Sequence, residues 1–152
     1  MAVLNWGKPT IEYVKYVDGK LPDNPVWLAM PTAVEGTVTM ETAEGEKKEA
    51  KEEGGAIVDS YTSKSSYTLS FELFEKKGSE KPIEDEDGVV LDNYAFRIIP
   101  EDETNNGYIM KKTSVTSLQT YNAADGGRWK YTVSALKPDD GSKMLDRFIK
   151  SN

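Results

Sequence analysis

The side chains here that could do acid–base chemistry are carboxylates, lysines and tyrosines. The sequence has 26 aspartates and glutamates but neither histidine nor cysteine. Without those two residue types, Ser–His and Cys–His nucleophile pairs cannot form, and histidine- or thiolate-rich metal sites are equally out of reach. No G-x-x-x-x-G-K-[ST] phosphate loop or G-x-G-x-x-G turn is present. A pair of carboxylates could in principle hydrolyse a glycosidic bond. An acid with a raised pKa needs apolar surroundings, however, and the densest groups of acids here lie in two hydrophilic runs. No catalytic residue, cofactor or resident metal is expected.

The first run, Glu84-Asp85-Glu86-Asp87-Gly88, resembles a cation loop only at a glance. It lacks the D-x-[DN]-x-[DN]-G spacing of an EF-hand, and like-charge runs usually face water. The second extends from Glu41 through Glu44, Glu46, Lys47, Lys48, Glu49, Lys51, Glu52 and Glu53 to Gly54-Gly55. Lys48 and Glu52 have the i,i+4 spacing of a helical pair, but a helix without an apolar stripe has nothing to pack. A solvated hairpin arm or a flexible loop over 41–55 fits better. As an arm, its mixed charges would set register against an identical copy.

Aromatic side chains are the other candidates for binding. Trp6, Trp27, Trp129, Tyr67, Phe71 and Tyr131 suggest a sugar platform, but aromatics on alternating strands more often build a core. Trp129 and Tyr131 alternate with Lys130 and Thr132, which points both toward the interior.

The elements that carry these residues read as strands. In Ser66–Glu75, the side chains of Tyr67, Leu69, Phe71 and Leu73 share one face. Thr10–Val17 alternates and meets the turn pair Asp18-Gly19. Further strands are expected at Val26–Met30, Gly36–Thr42, Ala56–Tyr61, Asn93–Ile99, Tyr108–Lys111, Ser114–Tyr121 and, after the turn Asp125-Gly126-Gly127, Arg128–Leu136. Pro82 fits the first turn of a short helix through Glu86 with Gly88 as its stop. Lys143–Lys150 fits a short helix or a strand. About seven to nine short strands with regular turn signals imply a mostly β fold, a β-sandwich or barrel with one short flanking helix.

At 152 residues the chain suits a single domain over 1–152. The opening Met1–Lys8 carries neither basic leader nor apolar core, and no stretch approaches the roughly 18–20 apolar residues of a membrane helix. A soluble protein made in the cytoplasm is the expectation. A net charge of −7 disfavours binding to a phosphate backbone.

Several of these segments resemble phage tail tube proteins, in particular the set found in Bacteroides-type genomes and prophages. The Glu41–Gly55 run leading into Val58-Asp59 is similar to their long charged hairpin. Lys81-Pro82-Ile83, Asp87-Gly88-Val89-Val90 and Asn93-Tyr94-Ala95 match as well, as do Ala123-Ala124-Asp125-Gly126-Gly127, Ala135-Leu136-Lys137-Pro138 and the opening Met1–Pro9. The likeness covers most of the chain and carries no catalytic signature. It implies a tail tube-like fold whose copies form rings of about six. The rings would stack into a tube with other tail proteins, in the host cytoplasm and then in the virion tail. DNA would pass through the lumen without specific binding, since an acidic wall releases no counterions to it.

The expected function is therefore a non-enzymatic structural subunit that self-assembles, with residues 41–55 as the inter-subunit arm. The alternative is a carbohydrate- or protein-binding β-sandwich module resembling an adhesin, which would expose its tryptophans and act as a monomer.

Overall fold

In the computed structural model, residues 3–150 are described; Met1 and Ala2 of the opening segment lie outside them. The strands are β1 (Thr10–Lys15), β2 (Leu28–Ala29), β3 (Thr39–Ala43), β4 (Lys47–Lys51) and β5 (Ile57–Thr62), followed by β6 (Ser66–Phe74), β7 (Tyr94–Ile99), β8 (Gly107–Asn122), β9 (Gly126–Ala135) and β10 (Asp146–Phe148). Eight of them form one antiparallel sheet in the order β2-β1-β7-β8-β9-β6-β3, with β10 beside β8. The sheet curls into a half-barrel. β4 and β5 pair only with each other.

Strict alternation builds the core. Leu69, Phe71 and Leu73 of β6 stand opposite Val133, Tyr131 and Trp129 of β9, and Val133 and Tyr131 in turn face Val115 and Ser117 of β8. All of them are buried. Phe71 lies 5.6 Å from Tyr131 and 6.4 Å from Phe96, ring centre to ring centre. Aromatic contacts at such distances add to the energy of burial. The turn that joins β8 to β9 leaves Asn122, and the Asp125 N–H returns to the Asn122 carbonyl. Gly126 follows with φ +79°, the left-handed residue that a three-residue hairpin loop requires.

The stretch read as two strands, Tyr108–Lys111 and Ser114–Tyr121, is one strand with a bulge. Tyr94 faces Thr113 while Phe96 faces Met110, so three steps on β8 match two on β7. An extra residue resets the alternation, and Met110, Thr113 and Val115 all reach the interior. The Thr113 hydroxyl is satisfied there by the Tyr94 carbonyl at 2.6 Å. Below the bulge β8 pairs with β7 and β10; above it, β8 pairs with β9. The bend lets one strand serve both halves of the curl.

The segment after β2 spans the open side. Met30 donates its N–H to Ile11 on β1 (2.8 Å), and Val34 donates to Glu72 on β6 (2.8 Å). These bonds join the two margins of the sheet and satisfy backbone groups that burial would otherwise leave unpaired.

No helix forms among the described residues, which corrects the expected helix at Pro82–Glu86. The competing force is the core. Ile83 is 1% exposed and is held by the Tyr131 hydroxyl, which donates to its carbonyl (2.9 Å) and accepts its N–H (3.2 Å). Burial pushes the Tyr131 phenol far above its ordinary pKa, so it stays a donor. A helix begun at Pro82 would have turned the Ile83 carbonyl along its own axis, away from that phenol. Glu86–Val89 instead closes a tight turn with Asp87 at φ +50° and Gly88 at φ +91°, both left-handed as in a type I′ turn. The tail, open between helix and strand, forms the short strand β10 against Gly107–Ile109.

Candidate functional site

The charged run 41–55 occupies the end of β3, all of β4 and the tip beyond it. Glu41 belongs to β3 and pairs with Thr68. Glu44 and Glu46 lie in the β3–β4 connection, Lys47, Lys48, Glu49 and Lys51 are on β4, and Glu52 and Glu53 lead into the tip. All nine are exposed. Lys47 and Glu49 approach to 3.7 Å along one strand, a surface pair worth little in water.

β5 completes this arm and lies beyond 41–55. Its register sets Lys48 against Tyr61, Ala50 against Asp59 and Lys51 against Ile57, with Val58 as a bulge. At the base, Ser63 donates its N–H to the Glu46 carbonyl (2.8 Å). Gly45 sits so close that a Cβ there would lie 1.9 Å from the Ser63 carbonyl oxygen; only glycine allows the two strands to leave the sheet side by side. At the tip, Gly54 and Gly55 are both left-handed.

Every residue of β4 and β5 is exposed. Ile57, Val58 and Tyr61 are 57%, 56% and 66% exposed, although their types favour a pleated, half-buried surface. A two-stranded hairpin alone in water is marginally stable at best. The sequence signal for these three was the alternation resuming after Gly54-Gly55; their exposure could not be read from it.

A groove lies between β1–β2 and the segment that follows Ile83. Its volume is about 470 Å³, and Leu28, Val89 and Leu91 line it along with Glu84, Asp85 and Glu86. These three apolar side chains are exposed. Asp85 binds Lys81 and accepts the Gly88 N–H at 2.6 Å. The hydrogen-bonded Lys81 ammonium, helped by that N–H, holds the Asp85 carboxyl below its ordinary pKa. A depressed carboxylate stabilises the fold above its unfolded pKa, and the contribution fades as pH falls through the folded value. Asp85→Asn should therefore be less stable than the parent near pH 7, with the gap closing below about pH 4. Urea midpoints at about pH 7 and pH 3 check this; a gap independent of pH would sink it.

The remaining sequence candidates scatter. Phe71, Trp129 and Tyr131 are core residues and Tyr67 is half-buried. Trp27 stacks on the Arg97 guanidinium at 4.4 Å, while Trp6 is exposed. Among the described residues, no three potential metal ligands converge. The arm and the groove both carry exposed apolar side chains, as do Leu4 and Trp6 near the start of the chain and Leu118 and Tyr121 on β8. The sequence matches no protein-family model, and no curated protein matches it.

Proposed function

We propose that this protein is a structural subunit that self-assembles, resembling a phage tail tube protein, with the β4–β5 arm as its inter-subunit element. The observation that carries the reading is the arm itself, a hairpin detached from the sheet with bare Ile57, Val58 and Tyr61 on it. Chains that form no further contact rarely expose such residues together on a projecting element.

The outer face of β3, β6, β9 and β8 supports the same reading. Thr39, Ser70, Thr132 and Thr116 form one cross-strand row, and Glu41, Thr68, Ser134 and Ser114 form the next. Its cations Lys130 and Arg128 flank Glu72: one stands opposite it in the ladder and the other lies 3.9 Å away. Small hydroxyls and compensated charge give a phosphate backbone little to hold, which suits the wall of a DNA conduit. Six or so such faces in a ring would line a lumen in the tail of a virion. The chemistry is passive, with no catalytic residue and no cofactor.

The second reading, a carbohydrate- or protein-binding module, rests on Trp6, which stands 69% exposed beside exposed Leu4. The deciding measurement is solution mass across a concentration series, with negative-stain images of the same samples. Rings of about six copies, or tubes, are expected. A strict monomer at every concentration would overturn the assembly reading and leave the binding module.

A further inference from the structure

In the loop between β9 and β10, the acids and the lysines find different partners. Leu136 donates its N–H to the Lys112 carbonyl (2.9 Å) as β9 ends. Buried Pro138 then opens a turn that Gly141 closes at φ +79°. Both acids of the loop are taken up by β8: Lys112 binds Asp139 at 3.1 Å, and Lys111 binds Asp140 at 3.5 Å. The Lys137 ammonium donates instead to the Gly141 and Ser142 carbonyls, at 3.2 and 3.1 Å. Two of its three donors are used there, so it is held across its own loop with its charge uncompensated.

This loop and the link from β5 to β6 enclose a pocket of about 240 Å³. Gly45 crosses the link so closely that a Cβ there would lie 2.8 Å from the Lys64 carbonyl oxygen, so Lys64 projects from a fixed backbone. Lys64, Lys137 and Lys143 line the pocket together with half-buried Tyr67, Met144 and Leu145, and no acid is among its walls. None of the three lysines forms an ion pair among the described residues. Glu44 and Glu46 lie on the neighbouring β3–β4 connection, outside the lining. In a chain of net charge −7, a pocket walled by three lysines and no acid is a local reversal of sign. Like charges gathered around one hollow repel, and a multivalent anion seated among them relieves that repulsion.

We propose that this pocket binds a phosphate group. Lysines hold phosphate as point charges, without the planar fork that an arginine site would use. The pocket is smaller than the roughly 300–1,000 Å³ of drug-sized sites, so it suits one such group with a small substituent. Tyr67, Met144 and Leu145 give that substituent an apolar surface. The site lies off the hydroxyl-rich outer face, because Tyr67 alternates with Thr68 of that face along β6. It is independent of the assembly reading.

Titration calorimetry of the full chain with inorganic phosphate and with phenyl phosphate, at fixed ionic strength, tests it. One saturable site per chain is expected. Lys64→Gln combined with Lys143→Gln should weaken binding about tenfold or more. Both positions are exposed, and circular dichroism should show this variant folded. Lys76→Gln combined with Lys77→Gln makes the same change of net charge on exposed residues outside the pocket, and should shift affinity no more than about twofold. Tighter binding of phenyl phosphate, by about tenfold, assigns the site to phosphate esters; equal affinity for the two probes assigns it to free phosphate. Absence of saturable binding of either probe overturns the site. Parent-like binding by the Lys64/Lys143 variant overturns it too, as does an equal loss in both double variants, which would mean that net charge alone attracts the anion.

Discussion

A chain in which Gly45–Lys64 is replaced by Asn-Gly is expected to fold as a monomer and to lose ring assembly. The design follows the register. Ala43 pairs with Ser66 at the last rung of β3 and β6, so Glu44 and Ser65 become the residues flanking a two-residue loop. Asn-Gly favours the type I′ turn whose twist matches such a hairpin. No residue of β4 or β5 belongs to the core cluster, so the melting temperature should move by no more than a few degrees. Association should suffer far more, because Tyr61 and its apolar neighbours leave together. Loss of a central aromatic anchor typically costs about 2–4 kcal/mol, which is roughly thirtyfold to a thousandfold in association. Sedimentation of the parent and shortened chains at matched concentrations reads the difference. Rings that persist without the arm would refute the assembly role assigned to it.

Removing only Ala43–Gly54 is a poorer test, because it leaves β5 without its partner strand. Its exposed Ile57, Val58 and Tyr61 would then sit on an unpaired edge, which invites aggregation. The Asn-Gly replacement removes both strands together.

What was legible in the sequence is what depends on local period. Tyr67, Leu69, Phe71 and Leu73 alternate without interruption, and so do Trp129, Tyr131 and Val133; both strands stand where alternation put them. Asp18-Gly19 also turns the chain, with Asp18 and Gly19 both left-handed between bridged Val17 and Lys20. Where a distant partner decides, the local signal misleads. Pro82 looks like a helix start, but Tyr131, 48 residues away, claims the backbone of Ile83. Lys112-Thr113 looks like a break between strands, because a bulge shifts the alternation without ending the ladder. The charged run showed half of the candidate arm; the returning strand was legible only as one more strand after Gly54-Gly55, and nothing local said it would stay bare. The groove was invisible, since it joins Leu28 to a segment about sixty residues later.

The largest stability effect predicted is at Glu12, a residue the sequence would leave on the solvent side of β1. β1 is buried on both faces: Ile11 packs into the main core, while Glu12, Val14 and Tyr16 are buried on the other side. Glu12 accepts from the Arg97 Nε at 2.6 Å, across the rung that pairs the two residues on β1 and β7. The guanidinium is stacked by Trp27 at 4.4 Å and by Phe148 at 5.5 Å, and Lys150 approaches Glu12 at 3.6 Å. One carboxylate thus balances a cation enclosed by rings from two separate segments, the loop before β2 and the C-terminal β10. Glu12→Ala strands that cation, and removing one partner of a largely buried pair costs about 3–5 kcal/mol. Arg97→Met leaves Glu12 still facing Lys150, so it should cost less. The double variant should recover much of the Glu12→Ala loss, because the isolated charge disappears with its partner. Urea unfolding of the four chains closes the cycle. If Glu12→Ala and the double variant prove equally unstable, the loss lies in packing of the carboxylate's stem, and the charge balance assigned to this cluster is wrong.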